Sequence, residues 1–537
     1  MSEVTRVLIS DKLSDEGLAI LAQAEGIEFD HKPGISAEEL KKILPEYDGL
    51  IIRSGTKASA DVIEAGKKLR VIGRAGIGVD NVDLAAATAR GIIVMNTPEG
   101  NTITTAEHAI ALMTSLARRI PQATASMRAG KWEKTRFNGK ELFDQVLGVI
   151  GLGNIGSIVA DRARGLRMRV IAFDPLVSEE RAERLGVDLV PLDELIARSD
   201  VITVHVPLTE STRGLIGREA FAKAKQGVLI INAARGGIVD ERALLEAIES
   251  GKCAGAALDV FEIEPPPKDH PLLQREEVIF TPHLGAATET AQLNVAIAVA
   301  EQVRDYLQRG VVRNAVNLPS VSAEDLEVLR PFIVLGEKLG LFQGQVATGG
   351  VAEIEVEYSG EIAGLNVQPI SIAVLRGVLA PWFGDEVNYV NAPVIAQKQG
   401  IRVIETKSTE PEDFVSLVTV RVRERAGVAH LIAGTIFGRT QPRIVRVDDF
   451  RFEAIPEGPT FLIRNQDRPG VVGHVGTLLG DAGINIKRMQ LGLHPSTSEA
   501  LQLLSIEPTP SSKVVEDVRA LPGIETALLL DLGARVV

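Results

Sequence analysis

Apolar residues in the first hundred positions fall in short runs, each closed by a polar residue or glycine. Val7-Leu-Ile-Ser10, Gly49-Leu-Ile-Ile-Arg53, Val71-Ile-Gly-Arg74 and Ile92-Ile-Val-Met95 are such runs, and an amphipathic stretch starts at Ser14. Strand-length runs alternating with helical patterns predict a parallel, doubly wound sheet. A long helical pattern covers Thr102 to Leu116 and stops near Pro121. A second α/β unit begins at Val146. Its strand candidates are Leu147 to Ile150, Val170 to Phe173, Val201 to Val204, Val228 to Ile231, Ala256 to Val260 and Val278 to Phe280. These six mostly lack alternation, as strands do when helices cover both faces. A helical pattern from Thr288 to Gln308 leads to Pro319, and the polar run Ser320 to Glu327 reads as a linker.

The texture then changes. Val351 to Tyr358 and Val418 to Val422 alternate apolar and polar residues, which predicts antiparallel strands with one exposed face. The last eighty residues read as strand, helix, two strands, helix, strand, the split βαβ order of ferredoxin-like units. The predicted fold class is therefore α/β, with two parallel-sheet domains followed by an α+β domain and a small ferredoxin-like domain.

Composition narrows the function. At roughly 150 residues per domain, 537 residues predict three or four domains. The net charge of −13 and 4% aromatic content exclude a general nucleic-acid or anionic-membrane surface. The longest apolar stretch, Val146 to Ala160, carries Asn154 and is too short to span a bilayer. The N-terminus has no leader pattern, and the expectation is a soluble, cytoplasmic protein. The single Cys253 excludes a disulfide scaffold, predicts no metal site, and reads as a small buried hydrophobe.

Gly151-Leu-Gly-Asn-Ile-Gly156 follows a predicted strand and opens a predicted helix. Gly151 makes the tight turn, Gly153 admits a pyrophosphate against backbone, and Gly156 lets helix and strand approach. The helix N-terminus offers free N–H groups to the phosphates. Asp174 ends the next strand, where a carboxylate accepts hydrogen bonds from a ribose 2′-hydroxyl and repels a 2′-phosphate. The cofactor expected is NAD.

Reactive side chains are expected just past the strand ends of such a sheet. Arg235, Glu264 and His283 each follow a different strand candidate. They suit oxidation of a 2-hydroxy acid. Arg235 holds the substrate carboxylate, His283 takes the hydroxyl proton, and Glu264 fixes the imidazole tautomer. His205 is expected to line the crevice or to satisfy a core hydrogen bond, and His108 to be a packing residue. Arg53 and Arg74, each at a strand end, are further cations available to a substrate.

Gly73 to Asp83, the glycine turn, Asn232 to Asp240, Gly255 to Phe261, Glu264-Pro-Pro and Thr281 to Ala286 together resemble the D-isomer-specific 2-hydroxyacid dehydrogenases over residues 1 to about 318. The resemblance implies a discontinuous substrate domain of residues 1–98 and 283–318, and a Rossmann NAD domain of residues 99–282. It makes Arg235, Glu264 and His283 catalytic. It adds Asn154, Ile155, Ala233, Asp259, Gly285 and Ala286 to the cofactor contacts. Two positions depart from the family pattern: Ile77 and Val206 stand where threonine is usual. The resemblance also implies substrate contacts from Arg53, from Asn101 and, across a dimer, from the basic run of Lys131, Lys134 and Arg136.

Residues 319–456 resemble an intervening domain of the long forms of this family, and residues 457–537 resemble an ACT domain, an amino-acid-sensing module. The resemblance implies a phosphorylated 2-hydroxy acid as substrate, L-serine as feedback effector, and a homodimer or homotetramer. Asn465, Asp467 and Asn485 are the expected effector contacts. Two alternatives stay open: a relative acting on glyoxylate, hydroxypyruvate or D-lactate, and a non-enzymatic NAD-sensing scaffold.

Overall fold

The computed structural model describes residues 4–319, 321, 323–410 and 413–534. Ser320 and Ser322 of the expected linker, and residues 1–3 and 535–537 of the expected terminal domains, lie outside them. The chain packs as two units: Met1–Lys57, Gly73–Asn81 and Met95–Asn314 in one, and Ala58–Ile72, Val82–Val94 and Ala315–Val537 in the other. Among the described residues, no helix is long and apolar enough to cross a membrane.

The N-terminal sheet has five strands in the order Ile27–His31, Thr5–Ile9, Gly49–Ile52, Val71–Arg74 and Ile93–Asn96. Thr5–Ile9 runs parallel to both its neighbours. Ser14 caps the helix Asp15–Ala22 by accepting from Gly17 N. The 21-residue helix Glu289–Arg309 lies against it, and a Cβ on Gly17 would come within 2.9 Å of Ala296 O.

The second sheet is parallel throughout. Its order is Val278–Phe280, Cys253–Leu258, Val228–Asn232, Val201–Val204, Val146–Ile150, Arg169–Phe173 and Asp188–Leu189. Val146–Ile150 and Val228–Asn232 are buried along their whole length, which explains their unbroken apolar sequence. The expected six strands become seven. Asp188–Leu189 pairs with only two residues, too short a run to show a pattern. Pro121 does not merely stop a helix. The helix Thr102–Ala117 ends earlier, and Pro121 sits in the first turn of a new helix, Ile120–Arg128, where its missing N–H is not needed.

In the other unit the long helix Ala323–Val346 begins inside the expected linker, so the polar run is partly helix. Its glycines recur every fourth residue. A Cβ on Gly340 or Gly344 would lie 2.2 or 2.3 Å from a carbonyl of the helix Gln368–Phe383, so only glycine permits this helix contact. Both helices cover a six-stranded sheet, ordered Arg402–Ser408, Val351–Gly360, Ser416–Glu424, Ala429–Phe437, Gln441–Val447, Phe450–Ala454. The alternating runs do form antiparallel strands, and Arg402–Ser408 adds a parallel edge.

The C-terminal sheet is antiparallel, ordered Asn485–Leu493, Glu499–Glu507, Pro459–Gln466, Ile524–Asp531. One face packs Phe461 and Ile463 beneath the helices Val471–Asp481 and Ser512–Arg519. The other face buries Leu462, Leu501, Leu503 and Leu530 in the same core as Leu335, Leu339 and Phe342 of the long helix. Lys338, almost fully buried, donates to the carbonyls of Leu532 and Ala534. Gln345 exchanges two hydrogen bonds of 2.9 Å with the backbone of Asp531.

Candidate active site

In the parallel sheet the winding reverses between Val146–Ile150 and Val201–Val204. Loops leave these two strands in opposite directions, and a crevice opens beyond their carboxyl ends. The glycine turn sits there. Gly151 has φ 92°, and a Cβ on Gly156 would stand 1.9 Å from Gly151 O. A Cβ on Gly153 would meet nothing within 4 Å, so its backbone faces open space at the head of the helix Asn154–Gly165.

Asp174 is anchored to the turn. One carboxylate oxygen accepts from Leu152 N at 2.8 Å and the other from Leu176 N at 2.9 Å. Further lone pairs remain for a ribose hydroxyl. A cleft of about 990 Å³ adjoins the turn, and Asn154, Ile155, Ala233, Asp259, Gly285 and Ala286 all line it. Gly151, Gly153, Gly156 and Asp174 lie outside that lining. Ile77 and Val206 line it with apolar side chains.

Arg235, Glu264 and His283 line the same cleft. His283 Nδ1 is 2.8 Å from Glu264 Oε2, and Phe261 N donates to Glu264 Oε1 at 3.1 Å. The hydrogen bond to Glu264 raises the imidazole above its ordinary value, outweighing burial. Burial alone would raise Glu264, but the His283 contact and the Phe261 N–H hold it below the usual carboxylate range. An ionised carboxylate only accepts, so Nδ1 carries the proton and Nε2 is left for a ligand.

His283 adopts φ 54°, a left-handed conformation costing a non-glycine residue roughly 1–2 kcal/mol. Asp259 holds it there. Its carbonyl accepts from His283 N at 2.9 Å, and its buried carboxylate accepts from Leu284 N at 2.7 Å and Gly285 N at 2.8 Å. Thr281 donates to the same carboxylate. His108 is not a packing residue. Its Nε2 lies 3.2 Å from Asp259 Oδ1 and 3.1 Å from Thr281 Oγ1. Burial opposes ionisation of Asp259, and the bonds from His108, Thr281 and Leu284 overcome it, so its acidity is enhanced.

His205 lines the cleft and shares a hydrogen bond with Thr203. Burial pushes its imidazole down to about 4, so it is neutral. Arg53, Arg74 and Asn101 also line the cleft. Arg74 Nε, Asn101 Oδ1 and His205 Nδ1 are buried without a hydrogen-bond partner among the described residues. Buried polar atoms are nearly always paired. Three orphans in one cleft beside an open glycine turn fit a polar ligand such as a dinucleotide and an acid substrate.

The structure does not bring Lys134 to the cleft. It is exposed on the turn Lys134–Phe137, and Arg136 there is engaged by Glu133 and Glu276. Asn465 does not reach a ligand either. It is buried, its Oδ1 accepting from Gln502 and its Nδ2 donating to Gln466 O, because it shares the inner strand face with Phe461 and Ile463. Asp467 and Asn485 are exposed. Missed in the sequence were Asp80, which pairs with Arg235, and Glu241, which accepts from Glu262 N and pairs with His270 to strap the loop carrying Glu264. Both lie in or beside the motifs quoted above, where acidic residues flanking a cleft cation or loop are the available signal.

Three family models match: D-isomer specific 2-hydroxyacid dehydrogenase, NAD binding domain, over residues 110–285; D-3-phosphoglycerate dehydrogenase intervening domain, over 328–448; and ACT domain, over 460–523. A D-3-phosphoglycerate dehydrogenase of Archaeoglobus fulgidus is 46% identical over 98% of this chain and 100% of its own. The chain belongs to the D-3-phosphoglycerate dehydrogenases. It is an NAD-dependent oxidoreductase with a Rossmann-like NAD domain followed by intervening and ACT domains. The D-3-phosphoglycerate dehydrogenase of Bacillus subtilis is 42% identical over 98% of this chain and 99% of its own. Among solved structures, a glyoxylate reductase from Paecilomyes thermophila matches with TM-score 0.55 and 31% identity, covering 59% of this chain and 99% of that one. A D-lactate dehydrogenase from Aquifex aeolicus, complexed with NAD and lactic acid, matches with TM-score 0.51 and 27% identity, covering 59% and 100%. The ACT match supports small-molecule regulation of the enzyme.

Proposed function

We propose that Arg235, Glu264 and His283 perform the oxidation of 3-phospho-D-glycerate to 3-phosphohydroxypyruvate, the entry into L-serine biosynthesis, and that L-serine feeds back on the enzyme. The observation carrying this reading is the 2.8 Å contact between His283 and Glu264 in the cleft that Arg235 also lines. Bound NAD supplies the hydride acceptor. Gly151, Gly153, Asn154, Ile155, Gly156 and Asp174 hold it at the turn and helix start, with Ala233, Asp259, Gly285 and Ala286 along the cleft. Arg235 grips the substrate carboxylate and polarises the C2 oxygen. His283 Nε2 accepts the hydroxyl proton as hydride leaves C2, and Glu264 stabilises the imidazolium formed.

Arg53, Arg74 and Asn101 bind the remaining substrate oxygens. Lys134 completes that site from a second subunit. Ile120, Met127 and Trp132, exposed apolar residues near Lys134 in the sequence, support a homodimer or homotetramer. Residues 1–98 with 283–318 form the substrate domain and 99–282 the NAD domain, a division supported by the packing of Gly17 against Ala296. Residues 319–456 and 457–537 form the intervening and regulatory domains. Asp467 and Asn485 bind the ammonium and carboxylate of serine across a subunit interface.

His283→Ala tests the chemistry. Turnover falls roughly 10²–10⁴-fold while NAD binding persists; near-normal turnover refutes the assignment. Calorimetry with L-serine on the wild type, Asp467→Ala and Asn485→Ala tests the regulation, and no serine heat with the wild type refutes it.

A further inference from the structure

The guanidinium of Arg235 is held from two sides. Its Nε donates to Asp80 Oδ2 at 2.7 Å and its Nη1 to Ala234 O at 2.7 Å. Its Nη2 lies 1.7 Å from where a Cβ on Gly78 would stand, so a side chain at that position would displace the guanidinium from this place. Gly78 and Asp80 belong to one loop, after the strand Val71–Arg74. Arg235 follows the strand Val228–Asn232. One loop thus supplies both the counter-ion and the clearance for a cation carried 155 residues away.

The surroundings make the carboxylate consequential. Arg53, Arg74 and Arg235 all line the cleft. Burial, then the charge of Arg235, pushes Arg74 down to about 10, and Asp80 acts in the opposite sense. Asp11, the other carboxylate acting on Arg74, accepts from the backbone N–H groups of Arg53 and Thr56. Asp80 bonds a guanidinium directly.

We propose that Asp80 is a positioning residue for the dehydrogenase reaction: by taking Nε it fixes the plane of Arg235 and leaves Nη2 for the substrate. The proposal rests on the reading of Arg235 as the carboxylate clamp. It separates two effects of one side chain. Without the Asp80 carboxylate the guanidinium rotates, and the chemical step loses alignment. The same loss removes a negative charge beside three cations, so an anionic substrate binds no more weakly. The Asp80 side chain is 61% exposed, a setting in which an ion pair adds little to folding, so the substitution leaves the fold intact.

The test measures kcat and KM for 3-phosphoglycerate with NAD, and Tm, on the full chain. The variants are Asp80→Asn, Asp80→Glu, Arg235→Lys and the Asp80→Asn/Arg235→Lys double variant. Asp80→Asn lowers kcat about ten- to a hundredfold with KM unchanged or lower and Tm unchanged. Asp80→Glu recovers part of the loss, and the double variant turns over no more slowly than Arg235→Lys alone. A wild-type kcat in Asp80→Asn, a raised KM with lowered Tm, or additive losses in the double variant overturns the proposal. Wild-type kinetics in Arg235→Lys instead overturns the clamp reading beneath it.

Discussion

His283 Nδ1 lies 2.8 Å from Glu264 Oε2, while the backbone N–H of Phe261 holds the other oxygen of that carboxylate. Two constraints on one carboxylate fix where the imidazole plane points before any ligand arrives. The contact stabilises the charged form of both partners and so ties the reaction to pH.

The pH profile follows with a definite sign. Glu264 raises His283 above its ordinary value of 6.5. With His283 as the proposed base, oxidation needs the neutral imidazole, so kcat/KM for 3-phosphoglycerate rises with pH through a limb lying above 6.5, and reduction of the keto acid falls across the same limb. Glu264→Gln moves that limb to lower pH and slows turnover. Profiles in both directions check this; an unmoved limb in Glu264→Gln contradicts it.

Asp259 sets the left-handed turn at His283. Asp259→Ala leaves the N–H groups of Leu284 and Gly285 unpaired, costing about 2–3 kcal/mol of stability at neutral pH. The folded carboxyl sits below its ordinary 3.8. Its stabilising contribution is therefore present above the unfolded value and lost as pH falls through the folded one. Melting curves of wild type and Asp259→Asn taken down from about pH 5 converge as the acid limb is entered. A constant gap at every pH counts against this role.

Asp174 joins the glycine turn to the expected ribose site. Asp174→Ala removes acceptors from Leu152 and Leu176 as well as the charge that repels a 2′-phosphate. The expected result is a fall in kcat/KM for NAD of about tenfold or more, the worth of one charge-assisted hydrogen bond, with a smaller fall or a gain for NADP. Equal losses for both cofactors would show that Asp174 only shapes the turn.

Lys338 ties the long helix to the backbone just past the last strand, Ile524–Asp531. Lys338→Met keeps the buried stem but leaves the carbonyls of Leu532 and Ala534 unpaired, which costs about 1–3 kcal/mol locally. Hydrogen exchange across Ile524–Asp531 speeds up, and the proposed response to L-serine weakens. Unchanged exchange in that strand would place the coupling elsewhere.

The chain order of the strands, the glycine turn, Asp174 and the three strand-end residues were legible because each depends on local periodicity or on a short motif. Burial of Asn465 was legible in principle, since alternation puts it on the same face as Phe461 and Ile463. So was the glycine spacing of the long helix. What alternation does not state is which body covers the opposite face. Leu462, Leu501 and Leu530 are buried by a helix more than a hundred residues earlier.

The amino-acid order alone thus determined the elements and the chemical types arriving at the cleft, because backbone propensity and side-chain periodicity act between near neighbours. Tertiary structure decided the pairings: Asp80 with Arg235, His108 with Asp259, Lys338 with the C-terminal carbonyls. These join residues 151 or more positions apart, and charge or hydrogen-bond complementarity across such separations exists only once the chain has closed on itself.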